Sequence, residues 1–378
     1  MVVKQTDLLA ALKAVGKIPV KDATSIWSNV VLRPIGTDRA ELRAMSYESE
    51  VIVRFPAECD ESDTEMAFLH QTAEKVIKTG DGSAWWIGMH EGRAAFLQHL
   101  FAWHAPKVNI ESLPARMAPE NMSPMAAVGT ASFLDAIKRV SAAMSYDIGR
   151  PNINGVNVDR DESGALRMTA TDGHILLTAT CEAAIGPEFK PFTIMRAAIV
   201  DLIRAGDESD LPEVLPIFGN GRMIQIKTTE ATMTLRCMDY DYPAWRNCIP
   251  HDFKTIISAD RKAFVAGMTA CKRAYQSHGT SIPLAIINAN GSVKLRTICP
   301  VKGTFDSVLD GATKIDSSMP DVVDLAFNSN LLIQTAKMFG SRRVQWFLPP
   351  GPVYGALMTE EGIEPLVGLT ALVMPTRL

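Results

Sequence analysis

One pattern occurs three times along this chain at a spacing of roughly 125 to 135 residues, and a unit repeated in sequence dictates a unit repeated in fold. Each copy opens with an amphipathic segment. In the first, Leu8, Leu12 and Val15 fall at i, i+4 and i+7 behind Thr6 and Asp7; in the second, Phe133, Ile137, Val140 and Met144 keep that spacing behind Thr130 and Ser132. In the third, Phe264, Met268 and Cys271 follow Ser258 and Asp260. Later in each copy a second helix is expected, ending at a glycine: Thr72 to Gly80, Met195 to Gly206 and Ser329 to Gly340, with the glycines read as left-handed C-caps. Between the helices lie alternating segments that predict strands, at Leu42–Met45, Leu166–Ala170 and Val293–Thr297.

Proline-marked stretches near Pro114 to Pro124 and Pro243 to Pro250 separate the copies, which predicts domains at 1–120, 121–250 and 251–378. Each is expected to be an α+β unit with two helices laid on antiparallel sheet. The 378 residues, 47% of them hydrophobic, can supply a core for every copy. The start of the chain lacks a basic then apolar leader, and no run of about 18 apolar residues occurs, so a soluble protein is expected. The six cysteines form no CxxC pair and no Cys/His cluster, so reduced thiols of a cytoplasmic protein are expected, with no metal and no cofactor.

The net charge of -4 argues against a nucleic-acid partner until the charges are located. The expected helices and their flanks carry fifteen cations against five acids, which leaves the remainder of the chain at -14. Helices that all faced one way would then present a basic surface suited to a phosphate backbone, with an acidic exterior elsewhere. Basic solvent-facing helices are also common, because Lys and Arg are good helix formers.

Three stretches carry a resemblance. Arg150-Pro151-Asn152-Ile153-Asn154-Gly155-Val156, followed by Leu166-Arg167-Met168-Thr169-Ala170-Thr171-Asp172-Gly173-His174, is similar to the central "R-x-x-L-x-G-V … A-T-D-G-H-R-L" region of the β subunit of bacterial DNA polymerase III, the replicative sliding clamp. Tyr242-Pro243-Ala244-Trp245-Arg246-Asn247-Cys248-Ile249-Pro250 resembles that family's "F-P-x-Y-R-x-V-I-P", and Val373-Met374-Pro375-Thr376-Arg377-Leu378 its terminal "V-M-P-M-R-L". The order and spacing agree along the chain, more loosely in the first third. Ile175 stands where the family has Arg, and Ser46-Tyr47-Glu48 replaces Thr-Asp-x-Glu, which marks a divergent member.

The resemblance implies the DNA clamp fold: three similar domains per chain and a head-to-tail homodimer closing a ring around double-stranded DNA. It implies partners as well, namely DNA polymerase, clamp loader and repair proteins that insert a short hydrophobic motif into a pocket. The matching pocket positions are Ile153, Thr171, Gly173, His174, Ile175, Leu176, Pro243, Asn247, Cys248, Val373, Met374, Pro375, Thr376 and Arg377. DNA-facing positions would be Lys21 and Arg150, with the helix cations Lys138, Arg139, Arg196, Arg204, Lys272 and Arg273. Pro151 and Asn152 stand where the family has DNA-contacting tyrosines.

The residues also have local readings. Asp172-Gly173 between two alternating apolar runs predicts a two-residue hairpin turn, and the apolar end Thr370–Pro375 predicts a docked edge strand. No G-x-S-x-G elbow accompanies His174, no phosphate-binding loop occurs, and Gly219-Asn220-Gly221 lacks the third glycine of a dinucleotide fingerprint. The expected function is therefore that of a non-catalytic processivity factor. Two alternatives stay open: a clamp-shaped decoy or resistance variant, motivated by Ile175, and a metal-dependent nuclease.

Overall fold

The computed structural model describes residues 1–117, 119, 121–206, 211–250, 253, 255–275, 281–289, 292–299, 303–309, 311–314, 322–349 and 355–375. Six helices lie among them: α1 (Gln5–Val15), α2 (His70–Lys78), α3 (Thr130–Val140), α4 (Arg196–Gly206), α5 (Arg261–Tyr275) and α6 (Ser329–Met338). The periodic apolar residues are the buried ones: Leu8, Leu12, Val15, Phe133, Ile137, Val140, Phe264, Met268 and Cys271 are at most 1% exposed. The fold is α+β with antiparallel strand pairing, and no helix among the described residues is long and apolar enough to cross a membrane.

Packing divides the chain into two compact units, Met1–Leu134 with Glu182–Asp239, and Asp135–Cys181 with Tyr240–Leu378. The division cuts the central copy because its strands hydrogen-bond with strands of both neighbours. Ala231–Arg236 pairs with Ser49–Pro56 of the first copy (Met233 opposite Val51), and Ile175–Cys181 pairs with Thr370–Val373 of the third (Leu176 opposite Leu372). Helix and strand order follows the sequence repeat; packing follows the sheets.

In the first unit α1 packs on strands Arg39–Met45 and Ser49–Pro56 and against α2. His70, buried at the start of α2, ties the two helices by donating from Nε2 to the Leu12 carbonyl at 2.8 Å. A four-stranded sheet runs in the order Val2–Lys4, Ala84–His90, Arg93–Gln98, Phe101–His104 and ends on an exposed edge.

The helix-ending glycines act differently from expectation. Neither Gly80, Gly206 nor Gly340 is among the left-handed residues. Gly80 is required by close approach: a β-carbon there would collide with the side-chain amides of Gln5 and Gln98, and on Gly206 it would stand 2.7 Å from a Leu134 methyl carbon. Gly80→Ala should destabilise the first unit by about 1–3 kcal/mol, the usual cost of overpacking, read as a lower urea midpoint.

Asp201 of α4 is buried and accepts hydrogen bonds from the hydroxyls of Ser46, at 2.8 Å, and Ser49. Burial pushes its carboxyl above the usual carboxylate range, against the opposing pull of the two hydroxyls. A raised carboxyl pKa means the folded chain holds a proton that the unfolded chain has released. Its contribution to stability is therefore present at low pH and lost as pH rises through the folded value. Relative to Asp201→Asn, the parent chain should gain stability as pH falls from neutral toward the ordinary carboxylate range. Parallel denaturation profiles for the two proteins would refute this.

In the second unit α5 and α6 pack together, capped by the Asp260 carboxylate (2.9 Å to the Lys262 N–H) and by Asn328. Phe264 and Phe327 meet Trp346 in the core, with ring centroids 5.1 and 5.8 Å away. Here too a four-stranded sheet ends on an exposed strand, Gly303–Val308.

Candidate functional site

The hairpin expected at Asp172-Gly173 forms one residue further on. Asp172 and Ile175 close it, the Asp172 N–H donating to the Ile175 carbonyl, so the central residues are Gly173 and His174. Gly173, at φ 89°, holds the first central position, where a type II′ turn takes glycine. The Asp172 carboxylate is committed to the turn, accepting from the N–H groups of His174 and Ile175 at 2.8 Å each. The His174 carbonyl accepts from the Met374 N–H at 2.9 Å, which docks the end of the terminal strand on the turn. An Arg150 Nη1 stands 2.6 Å from where a β-carbon of Gly173 would be, so Arg150 lies over this hairpin and not along a helix.

From the hairpin an apolar row crosses the sheet. Leu176 pairs with Leu372, Leu372 with Leu357, Leu357 with Phe347, and Phe347 with Ile256, all on one face. The connector after Asp239 covers this row: Trp245 and Ile249 are buried against Leu176, Leu372, Leu357 and Phe347, with Tyr242, Phe253, Leu366 and Met374 partly buried around them. Burial pushes the Tyr242 hydroxyl pKa far up, so it stays protonated. Arg246 stacks on Trp245, 4.4 Å from the ring centroid, and forms a bidentate pair with Asp159 at 2.7 and 3.2 Å.

Against this geometry the sequence-named pocket residues divide. Leu176 and Met374 belong to the apolar cluster, and Thr171, Gly173 and His174 form the adjoining hairpin. Pro243 is half-buried, while Asn247 and Cys248 are exposed on the connector's short helical turn Trp245–Cys248. Ile153 is buried, its carbonyl accepting from the Ser145 N–H. Strand alternation puts Ile175 and Val373, which face each other, on the opposite side of the sheet, where both are buried. Pro375 is half-buried; Thr376 and Arg377 lie outside the described residues. Ile175 thus sits in the core, away from the apolar row, and gives the decoy reading no support. Sequence reasoning missed Leu372, Trp245, Phe347 and Leu357.

A second feature lies in the first unit. Lys13, Lys17, Lys21, Lys78 and Arg204 line one cleft of about 930 Å³ together with Glu74, bounded by α1, the loop after it, α2 and the end of α4. Lys78 pairs with Glu74 at 2.6 Å and holds that carboxyl below the usual range. The named residues Lys21 and Arg204 thus converge, with three lysines the sequence did not single out for DNA. The others are placed separately. Lys138 is exposed on α3 and Arg196 half-buried at the start of α4. Arg139 is engaged by Asp135 (2.7 Å) and the Met338 carbonyl (3.2 Å), Lys272 donates to Asn330 at 2.5 Å, and Arg273 is exposed. Within their observed bounds the six helices carry twelve cations against four acids, since Lys17, Asp260, Arg342 and Arg343 fall outside. Among the described residues, no group of three or more His, Cys, Asp or Glu side chains is placed to hold a metal ion.

Residues 127–244 match the model of the DNA polymerase III beta subunit, central domain. The middle of the chain therefore matches the central domain of the beta sliding clamp family. Among curated members of that family, the beta sliding clamp of Synechococcus elongatus is 20% identical over 100% of this chain and 99% of its own length. The Pseudomonas aeruginosa beta sliding clamp is 25% identical over 56% of this chain and 55% of its own. The crystal structure of the DNA polymerase III subunit beta from Pseudomonas aeruginosa superposes with a TM-score of 0.87 at 20% identity, covering both chains fully. That of the Caulobacter crescentus sliding clamp gives 0.84 at 21%, covering all of this chain and 99% of the other.

Proposed function

We propose that this chain is a sliding clamp, a non-catalytic processivity factor of the bacterial cytoplasm that closes as a head-to-tail homodimer around duplex DNA. On this reading 1–120, 121–250 and 251–378 act as three clamp domains, and DNA polymerase, clamp loader and repair proteins dock a short hydrophobic motif on the second unit. The observation that carries the DNA side is the cationic cleft: five basic side chains gathered beside one acid, already paired, in a chain of net charge -4. Phosphate contacts of that kind hold a duplex without reading its sequence, which a sliding protein needs.

The exposed edge strands Phe101–His104 and Gly303–Val308 support ring closure, because unpaired edges in the first and third copies suit a heterologous contact between chains. The apolar cluster beside the His174 hairpin supports partner docking, with the partly buried Tyr242 and Met374 at its edge and Met374 as an adaptable contact. Arg150 fits the rim of that pocket better than a DNA contact, given its place over Gly173.

The test combines mass in solution with retention on circular DNA in the presence of a clamp loader. A dimer retained on nicked circles and released by linearisation is expected; a monomer, or equal retention on both forms, would overturn the reading. Lys21→Glu with Arg204→Glu should leave the dimer intact and lower the magnitude of the salt slope of DNA binding by about 4, one per lost phosphate contact with two in each protomer. An unchanged slope would remove the cleft from the interface.

A further inference from the structure

On the same covered sheet face, a second opening lies away from the His174 hairpin. It is a cleft of about 810 Å³ in the second unit. Its apolar wall is Ile249, Phe253, Ile256, Phe347 and Leu366, with Phe253 and Phe347 in edge contact at 5.4 Å between centroids. Arg167 and Thr180, paired across two strands, mark its polar end. That pair is four residues along the strands from Thr171 and Leu176, or about 13 Å at the rise of a β-strand.

The charges of the cleft are unequally committed. The buried Arg167 guanidinium donates to Asp161 (3.1 Å), to the Leu366 carbonyl (2.6 Å) and to the Thr178 hydroxyl (3.3 Å). Arg246 is held by Asp159 and by the Trp245 ring. Glu162 and Glu364 on the rim are exposed and, among the described residues, in no ion pair. The charge left for a visitor is therefore negative, beside an apolar wall.

The wall is also pre-set. Leu366 holds φ 67°, a left-handed conformation unfavourable for a side chain with a β-carbon, and its N–H donates to the Thr370 hydroxyl while its carbonyl is gripped by Arg167. Strain retained beside an open cleft is a mark of a ligand site, because the surroundings have to hold it in place. The volume lies in the range of pockets that enclose a bulky side chain with its flanking backbone.

We infer that this cleft is a second docking site, taking a segment of a partner protein in which a large apolar side chain stands next to a lysine or arginine. It shares the Phe347–Ile256 end of the apolar row but opens about 13 Å along the strands from the hairpin. A cation beside the anchor would face Glu162 and Glu364, whereas an acidic neighbour would be repelled.

The test uses two probes, N-acetyl-Phe-Arg-amide and N-acetyl-Phe-Glu-amide, titrated into the full-length protein with its Ile and Leu methyl groups labelled for NMR. Saturable shifts at Ile249, Ile256 and Leu366 are expected with the Arg probe, and about fivefold weaker binding of the Glu probe, as two exposed charge contacts allow. Glu162→Lys with Glu364→Lys, both at exposed positions, should reverse that preference. Absence of saturable shifts, equal response to both probes, or shifts confined to Leu176 and Leu372 would overturn the proposal.

Discussion

Proline in place of Ala102 should leave each chain folded and convert the proposed dimer to monomers, with loss of retention on circular DNA. The reasoning starts from hydrogen-bond direction along the edge strand. The Ala105 N–H donates inward to the Ala94 carbonyl, so by strand alternation the N–H of Trp103 also points inward and that of Ala102 points out, toward a chain that would add itself to the sheet. Proline at 102 removes a donor that the monomer does not use and places its ring on the docking edge. Losing two interchain hydrogen bonds, at about 0.5–1.5 kcal/mol each, together with the steric block weakens association by about a hundredfold. Sedimentation equilibrium reads the outcome directly. A dimer of parental affinity would mean that the ring, if it forms, closes somewhere else.

Much of this fold is legible in the residues because the helices are. Leu8, Leu12 and Val15 can be placed by spacing alone, and all three are completely buried. The hairpin was legible in kind but shifted in frame. Asp-Gly is the usual two-residue turn, yet here the Asp172 carboxylate accepts from two N–H groups ahead of it, which takes Asp172 out of the turn and brings His174 in. The glycines at 80 and 206 look conformational from their place after a helix but are steric, and the colliding groups, Gln5, Gln98 and Leu134, are too far away in sequence for a local pattern to show.

The candidate sites divide along the same line. Lys21 and Arg204 could be named singly, but their joining with Lys13, Lys17 and Lys78 depends on how α1, α2 and α4 pack. The strand residues named for the expected pocket fall on both faces of their sheet. Leu372 shares a face with Leu176, while the neighbouring Val373 shares one with Ile175, and a one-residue difference in a strand decides which side of the sheet a residue packs on. Phe347 and Leu357 join the row only through pairings between strands of the third copy, which no motif announced.

Trp245→Ala should therefore have the largest effect of any single substitution in the connector, on stability and on partner docking together. Trp245 is 3% exposed and seals the apolar row between Leu176 and Phe347, so truncation opens a cavity over both and costs about 3–5 kcal/mol. Arg246 would also lose the ring it stacks on, leaving its pair with Asp159 without a platform. Urea unfolding should show the loss, and a fluorescent hydrophobic clamp-binding peptide should lose its saturable signal as the row rearranges. Cys248→Ser, one turn away on the same connector but exposed, is the matched control and should shift stability by less than about 0.5 kcal/mol. The comparison separates two roles for the connector. If Trp245→Ala unfolds more easily yet binds the peptide with parental affinity, the connector is only a lid on the sheet, and the docking surface has to be sought on the hairpin side, among Thr171, His174 and Met374.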